Sequence, residues 1–422
     1  MKLPFRVIVC AVCAVVLAAC VPGRPIQSGP ASTATPGATS AINFSAGDDP
    51  ESLPTFWENT EGIPPVGDQV SPGSCYAWAA GYYYLSHLQW RDYDWDVADP
   101  ANQCSPAFVY NLTNGGTNEV TARGDFERED AFRVFETMGC ASMADMPFSH
   151  YDLLSLPSET AFRNGMRFRT GGTRRFDVRT DEGIARLKRH LAGGDLAVLG
   201  IFGFENLTSI SSYDHTYCVG QTSGPRLFWH DVTVVGYDDG YDTADGRGAF
   251  RMVNSWGPNW GDDGYFWMSY RAVKDSKTSV GYVLFAEDRS HYEPELDLRI
   301  GLDYPDRYNL VLRAGWGGEG NGTEAAFFYY RRKFVWDGVP YPEGAVELDL
   351  TGLLDAPAGE AVLRLRFEDR LSGEAVAPGI RFLEIENRLT GRRVTVPADA
   401  LSVSAASGTI DIPVPRELLA PA

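Results

Sequence analysis

The sequence predicts an α+β chain: a two-lobed region that is helical first and β later, followed by an all-β region with the pattern of a sandwich. Three observations carry this. Apolar stripes at helical spacing fall before Leu196, Val- and aromatic-rich alternating runs follow it, and short alternating runs separated by Gly, Pro and Asp turns fill the part beyond His291. A helical half and a β half within one region leave room for a cleft between them. The 422 residues suffice for two or three domains, and 44% hydrophobic with 22% charged residues is ordinary for a chain with a core. The expected division is 1–19 signal, 20–47 linker, 48–290 two-lobed domain and 291–422 β-rich domain.

The N-terminus stands outside the fold. Lys2 and Arg6 precede the apolar run Val7–Ala19, which at roughly 13 residues is too short for a spanning helix of about 20 and reads as a secretory signal. Leu17-Ala18-Ala19-Cys20 resembles the bacterial lipobox, in which the cysteine becomes the lipidated first residue. Cys20 is therefore the expected lipid-attachment site; the alternative is ordinary cleavage near Ala18 or Ala19. Acyl chains on Cys20 would anchor an exported protein to a bacterial membrane. Val21 carries no obvious inner-membrane retention signal, which favours the outer membrane or cell surface. Val21–Ala46, rich in Pro, Gly, Ser, Thr and Ala, reads as a flexible tether with a reach on the order of 30 Å.

Composition changes from about Asp48. A helix is expected to start near Ser74 and run through Cys75–Gln89, whose apolar stripe includes Ala79, Tyr83, Leu85 and Leu88. Glu129–Met138, closed by Gly139, and Glu182–Leu191, closed by Gly193-Gly194, fit two more. Leu196–Phe202, His230–Tyr237, Phe250–Asn254 and Tyr265–Tyr270 read as strands. In the last region Val346–Leu350, Ala361–Phe367, Arg381–Leu389 and Arg393–Val396 alternate, with Thr390-Gly391 as a hairpin tip.

A net charge of −19 and a pI near 4.7 argue against nucleic-acid binding. Asp238, Asp239, Asp242 and Asp245 do not match calcium-loop spacing and read as a solvated hairpin, so neither metal nor cofactor is expected. Trp316 and Trp336 read as core or scattered surface aromatics rather than a binding platform.

The stretch DQVSPGSCYAWA, Asp68–Ala79, carries the chemistry. Nucleophilic catalysis by cysteine needs a thiolate, a base, a group orienting that base, and donors for the oxyanion. Gly73-Ser74-Cys75 puts the sulfur in a first helical turn, where unpaired N–H groups favour negative charge. Of six histidines, His230 stands at the start of an apolar strand, which fixes a side chain better than a loop; His215 is a rival without that support. Asn254, at the end of another alternating run, can accept the second imidazole N–H. Gln69 can offer its NH₂ to an oxyanion beside the Cys75 backbone N–H.

Taken with LPTFWENTEGIPPVGDQVSPGSCYAWA, HDVTVVGYDD and NSWGPNWGDDGYF, these residues make the chain resemble a papain-like cysteine peptidase over about Leu53 to Phe285. The resemblance implies a helical lobe and a β-barrel lobe, Cys75 as nucleophile, His230 as acid/base, Asn254 as its orienting group and Gln69 in the oxyanion hole. It implies that Trp256 shields the Asn–His hydrogen bond, that Trp260 lines the leaving-group side, and that the partner is a protein or peptide substrate. Several positions depart from the family. Pro72 replaces the usual neighbouring cysteine, Tyr76 stands where Trp is commoner, and Asp231 follows the histidine where a small residue is usual. Asp231 could alter the histidine's pKa or face away. For the family's substrate-binding Gly-Gly, Asn114-Gly115-Gly116 and Arg123-Gly124-Asp125 compete. The tether is too short and polar to be the family's inhibitory pro-segment. With Cys75 catalytic and Cys20 acylated, Cys104, Cys140 and Cys218 allow at most one disulfide. Cys104–Cys140 is the candidate pair, and three buried thiols are the alternative. Two other functions remain: a catalytically inactive papain-like binding protein and a Cys-His cell-wall amidase, the latter lacking the Gln and Asn-Ser-Trp-Gly contexts.

Overall fold

The computed structural model describes residues 53–70, 73–114, 127–316, 324–327, 339–354, 361–369, 377–403 and 408–419. The leader, Cys20, the tether, Pro72, both Gly-Gly candidates and Trp336 lie outside the described residues.

The first lobe is built around one long helical run. It opens as α-helix at Cys75–Ala77, is wound as π-helix over Trp78–Leu85 and returns to α-helix over Ser86–Tyr93. The expected helix is thus present, but its middle turns are widened. There the Ser86 N–H reaches back to the Gly81 carbonyl, an i to i−5 bond. Three consecutive tyrosines on this stretch end at three different places. Tyr82 OH donates to Pro65 O (2.9 Å), Tyr83 OH to Asn254 O (2.9 Å), and Tyr84 OH accepts from the Ala286 N–H (2.7 Å). The run stops at Asp94, whose backbone is left-handed (φ 48°, ψ 44°).

Helices Pro106–Thr113, Glu127–Thr137, Glu159–Gly165 and Asp181–Ala192 follow. The helix expected at Glu129–Met138 begins earlier, and Gly139 at φ +71° ends it as anticipated. Asp181–Ala192 is capped by Thr180, whose side chain accepts from the Gly183 N–H (3.1 Å).

The second lobe is an eight-stranded sheet made of β1 (Phe56–Glu58), β2 (Thr173–Asp177), β3 (Ala197–Gly203), β4 (Thr216–Tyr217), β5 (Phe228–Thr243), β6 (Gly246–Val253), β7 (Tyr265–Ser269) and β8 (Ser279–Ala286). Pairing runs β2-β8-β3-β5-β6-β7-β4, with β1 on β5. The central β5 is far longer than the apolar run that announced it, because its polar half, Asp238–Thr243, continues to pair with β6 across irregular register. β2 and β8 were not anticipated: RRF in the one and GYV in the other alternate too weakly for a periodicity of two to stand out.

Two four-stranded antiparallel sheets form the last region, from β9 (Leu296–Asp303), β10 (Leu310–Trp316), β11 (Glu324–Phe327), β12 (Val346–Asp349), β13 (Ala361–Asp369), β14 (Gly379–Asn387), β15 (Arg392–Thr395) and β16 (Gly408–Val414). Their orders are β11-β10-β13-β16 and β12-β9-β14-β15. Leu298, Ile300, Leu312, Leu365, Ile385 and Ile410 from both sheets share one apolar cluster, as a sandwich requires. Thr390 and Gly391 do turn the β14–β15 hairpin, with Gly391 at φ +68°. Trp316 is core, its indole N–H donating to Leu353 O (2.6 Å). The same apolar cluster continues from Tyr308, between β9 and β10, into Phe108, Phe162 and Leu153 of the first lobe. Polar ties reinforce the seam: Arg163 reaches Glu386 (3.0 Å) and Glu347 (3.5 Å), and Tyr308 OH donates to Asn111 O (2.7 Å).

Candidate active site

The Cys75 helix packs against β5, to which Thr233 Oγ1 ties it by donating to Ala79 O (2.8 Å). This places Cys75, buried at 8% exposure, beside the strand that begins with Phe228, Trp229 and His230. Asn254 follows the last residue of β6, the neighbour of β5. Two adjacent antiparallel strands and one helix N-terminus therefore bring the three residues to one region.

His230 Nε2 lies 2.6 Å from Asn254 Oδ1. The Ser255 backbone N–H, which can only donate, also points at Asn254 Oδ1 (2.8 Å). That fixes which amide atom is the oxygen and makes His230 Nε2 the proton donor. Nδ1 then carries the lone pair. His230 is buried, and burial pushes its pKa down to about 4, with the Asn254 bond pulling upward. The ring lies against Trp256 (centroids 4.6 Å), and Trp260 meets Trp256 edge-on at 5.0 Å. Phe228, which was not anticipated, completes this aromatic wall 5.7 Å from Trp256.

Gln69 is held from the same side. Its N–H donates to Ser255 O (2.8 Å), the Gly257 N–H donates to Gly67 O (3.0 Å), and Ser255 Oγ donates to Gln69 Oε1 (2.6 Å). With Oε1 engaged by Ser255, the NH₂ is the opposite end of the amide. Tyr83 joins this loop to Asn254, since its hydroxyl also accepts from the Gly67 N–H (3.1 Å). Sequence gave Tyr83 only a place on an apolar stripe.

Asp231 does not face away. Its Oδ2 is 4.0 Å from Cys75 Sγ, and its Oδ1 accepts from Arg128 Nη1 (3.1 Å). Burial pushes the Asp231 carboxyl up to about 6, against the pull of Arg128. Arg128 also donates to Tyr282 OH (2.8 Å), which in turn donates to Glu129 (2.8 Å).

The remaining candidates lie elsewhere. His215 sits before β4 at φ +56°, with its N–H on Ile210 O, on the far edge of the sheet. Cys104 and Cys140 are joined by a disulfide, while Cys218 is a buried free thiol whose pKa burial and Asp245 raise. The acidic hairpin corrects expectation. Asp242 is exposed, but the Asp245 side chain is only 1% exposed and accepts from Val219 N (2.7 Å), Gly220 N (2.8 Å) and Ser269 Oγ (2.6 Å). Backbone N–H groups of a neighbouring loop, invisible in a local sequence window, supply its partners.

Residues 121–282 match the papain family cysteine protease profile, a span that contains His230 and Asn254 but begins after Gln69 and Cys75. An uncharacterized peptidase C1-like protein of Acanthamoeba polyphaga mimivirus is 30% identical over 151 residues, 34% of this chain and 43% of that protein. A cathepsin B-like protein, CP1, of Giardia intestinalis is 27% identical over 209 residues, 48% of this chain and 63% of its own. The chain thus spans 24% to 63% of the length of these relatives and of Peptidase 1 of Dermatophagoides pteronyssinus (24%). Among solved structures, xylellain, a cysteine protease from Xylella fastidiosa, overlaps with a TM-score of 0.46 at 22% identity, covering 57% of this chain and 88% of its own.

Proposed function

We propose that this chain, which carries a papain family cysteine protease region at residues 121–282, hydrolyses peptide bonds with Cys75 as nucleophile and His230 as acid and base. The His230–Asn254 hydrogen bond carries the reading, because the Ser255 N–H fixes its polarity and so leaves a basic Nδ1. In this mechanism Nδ1 takes the Cys75 proton as sulfur attacks the scissile carbonyl carbon. The oxyanion that forms is met by the Gln69 NH₂ and the Cys75 backbone N–H. Collapse breaks the C–N bond, and Nδ1–H protonates the departing amine. Water then attacks the thioester, giving its proton to Nδ1, and the acid product leaves as the thiol is restored. Trp256, against the His230 ring, keeps water from the Asn254–His230 bond, which strengthens it, and Trp260, edge-on to Trp256, lines the leaving-group side.

The test is labelling by a thiol-reactive epoxide peptide inhibitor, together with casein hydrolysis. Both are expected in the wild type and lost in Cys75→Ala. Label with peptidoglycan release but no peptide hydrolysis would overturn the peptidase reading.

The domain reading, 48–290 for catalysis and 291–422 as a β-rich domain, and the anchoring reading, acylation of Cys20 and export to the outer membrane or cell surface, belong to the same proposal. The Leu17-Ala18-Ala19-Cys20 run supports the anchoring. Labelled palmitate incorporated by wild type and lost in Cys20→Ala is the expected result; unlabelled wild type in a lipidating bacterium would sink it.

A further inference from the structure

The carboxylate beside the thiol poses a problem for the proposed chemistry. A negative charge 4.0 Å from Cys75 Sγ opposes formation of a thiolate in a site of low dielectric. Yet the site is built to keep Asp231 there. Gly200 lies directly opposite Asp231 in the β3–β5 register. A Cβ on Gly200 would fall 1.5 Å from Arg128 Nη1, so the missing side chain is the slot through which the guanidinium reaches Asp231. Glycine inside a strand weakens it and marks a close approach; here the approaching group is a cation from the Glu127–Thr137 helix. Tyr282 on β8 holds the other arm of that cation, and its ring lies 5.1 Å from the guanidinium carbon.

We propose that Arg128 is a positioning residue that neutralises Asp231, so that Cys75 can ionise beside it, and that Gly200 is the space this requires. The inference rests on Cys75 being the nucleophile. The groups facing Asp231 are Cys75 from its helix, Arg128 and Glu129 from the Glu127–Thr137 helix, with Tyr282 of β8 bound to both of the latter; His230 precedes it on β5. Of these only Arg128 is a fixed cation. Remove it and, at a pH high enough to ionise Asp231, the carboxylate faces the sulfur uncompensated, with Glu129 adding to the negative field. The thiolate then forms at higher pH, by one or more units.

The experiment is the pH dependence of Cys75 alkylation by iodoacetamide in the full chain, read by mass spectrometry of the Cys75 peptide. Sulfur displaces iodide, so the rate follows the thiolate. Arg128→Gln is expected to lower the rate at pH 8, well above the value near 6 to which burial pushes Asp231, at least about tenfold and to shift the profile upward. Arg128→Lys should recover most of the loss. Asp231→Asn in the Arg128→Gln background should restore it, which a merely structural role for the arginine would not allow. Gly200→Ala should reproduce the Arg128→Gln profile, because the added methyl takes the place of Arg128 Nη1. It covers the case in which Arg128→Gln fails to fold. An Arg128→Gln profile superimposed on wild type, or no rescue by Asp231→Asn, overturns the proposal. A wild type not alkylated at Cys75 overturns the nucleophile reading and this proposal with it.

Discussion

Replacing Tyr83 with phenylalanine removes one oxygen and leaves the ring in place. That oxygen sits where the Cys75 helix, the Gln69 loop and the end of β6 meet, donating to Asn254 O at 2.9 Å and accepting from the Gly67 N–H at 3.1 Å. Tyr83 is fully buried, so water has no route to replace it. Burial pushes its phenol well above the ordinary range, so the proton stays in place wherever the protein is folded. The substitution strands a buried acceptor at Asn254, at about 1–3 kcal/mol, and a half-buried donor at Gly67, at less, a loss of roughly 2–4 kcal/mol. Urea unfolding of wild type and Tyr83→Phe measures it. A second consequence follows from the Asn254 carbonyl being one end of the residue whose other end holds His230. Loss of that anchor should lower kcat about tenfold with little change in KM, since small misplacements of catalytic groups are costly. A variant within about 0.5 kcal/mol of wild type and equal in kcat would refute the idea that one hydroxyl fixes all three elements.

Two further outcomes follow from the same geometry. His87 is buried, its Nε2 on Gly194 O (3.1 Å), and burial pushes its pKa down from 6.5 to about 4. Its folded pKa is below its unfolded one, so on acidification the unfolded chain takes up a proton first. The His87 share of stability falls between about pH 6.5 and 4 by up to about 3 kcal/mol and then levels; urea midpoints at several pH values should show a smaller fall in His87→Gln than in wild type, the remainder coming from groups such as buried His230. Reducing the Cys104–Cys140 disulfide, whose cysteines are 36 positions apart, should cost about 2–4 kcal/mol, read as a lower urea midpoint for Cys104→Ala/Cys140→Ala.

Much of the site was legible because its chemistry sits in local patterns. Cys75 follows a Gly-Ser pair at the head of an apolar stripe, and His230 and Asn254 border alternating strands, so each announces both its element and its place on it. Gln69 was legible by its distance from Cys75. What escaped reading depends on contacts across the chain. The π-helical turns of Trp78–Leu85 carry three tyrosine hydroxyls to distant partners, on the loop before Gly67, at Asn254 and at Ala286, which no local window shows. Asp231 was seen as an oddity, but its partner Arg128 lies 103 positions away, and only Gly200 within an otherwise apolar strand hinted at an intruding side chain. β16 was missed because it carries a proline, Pro413, while β9, LDLRIGLD, alternates and was legible though not read.

The apolar cluster shared by the first lobe and the terminal sandwich bears on the order in which the molecule can be made. It joins Ile63 and Phe108 to Leu298, Ile410 and Leu418, contacts between the beginning and the very end of the folded chain. Loop-closure entropy must be met before such distant contacts stabilise anything, which slows folding. In chain order Cys75, His230 and Asn254 all precede the strands that pack on the helical lobe. In a chain lacking that sandwich, Phe162 and Leu153 of the helical lobe would lack part of the apolar cluster they share with it.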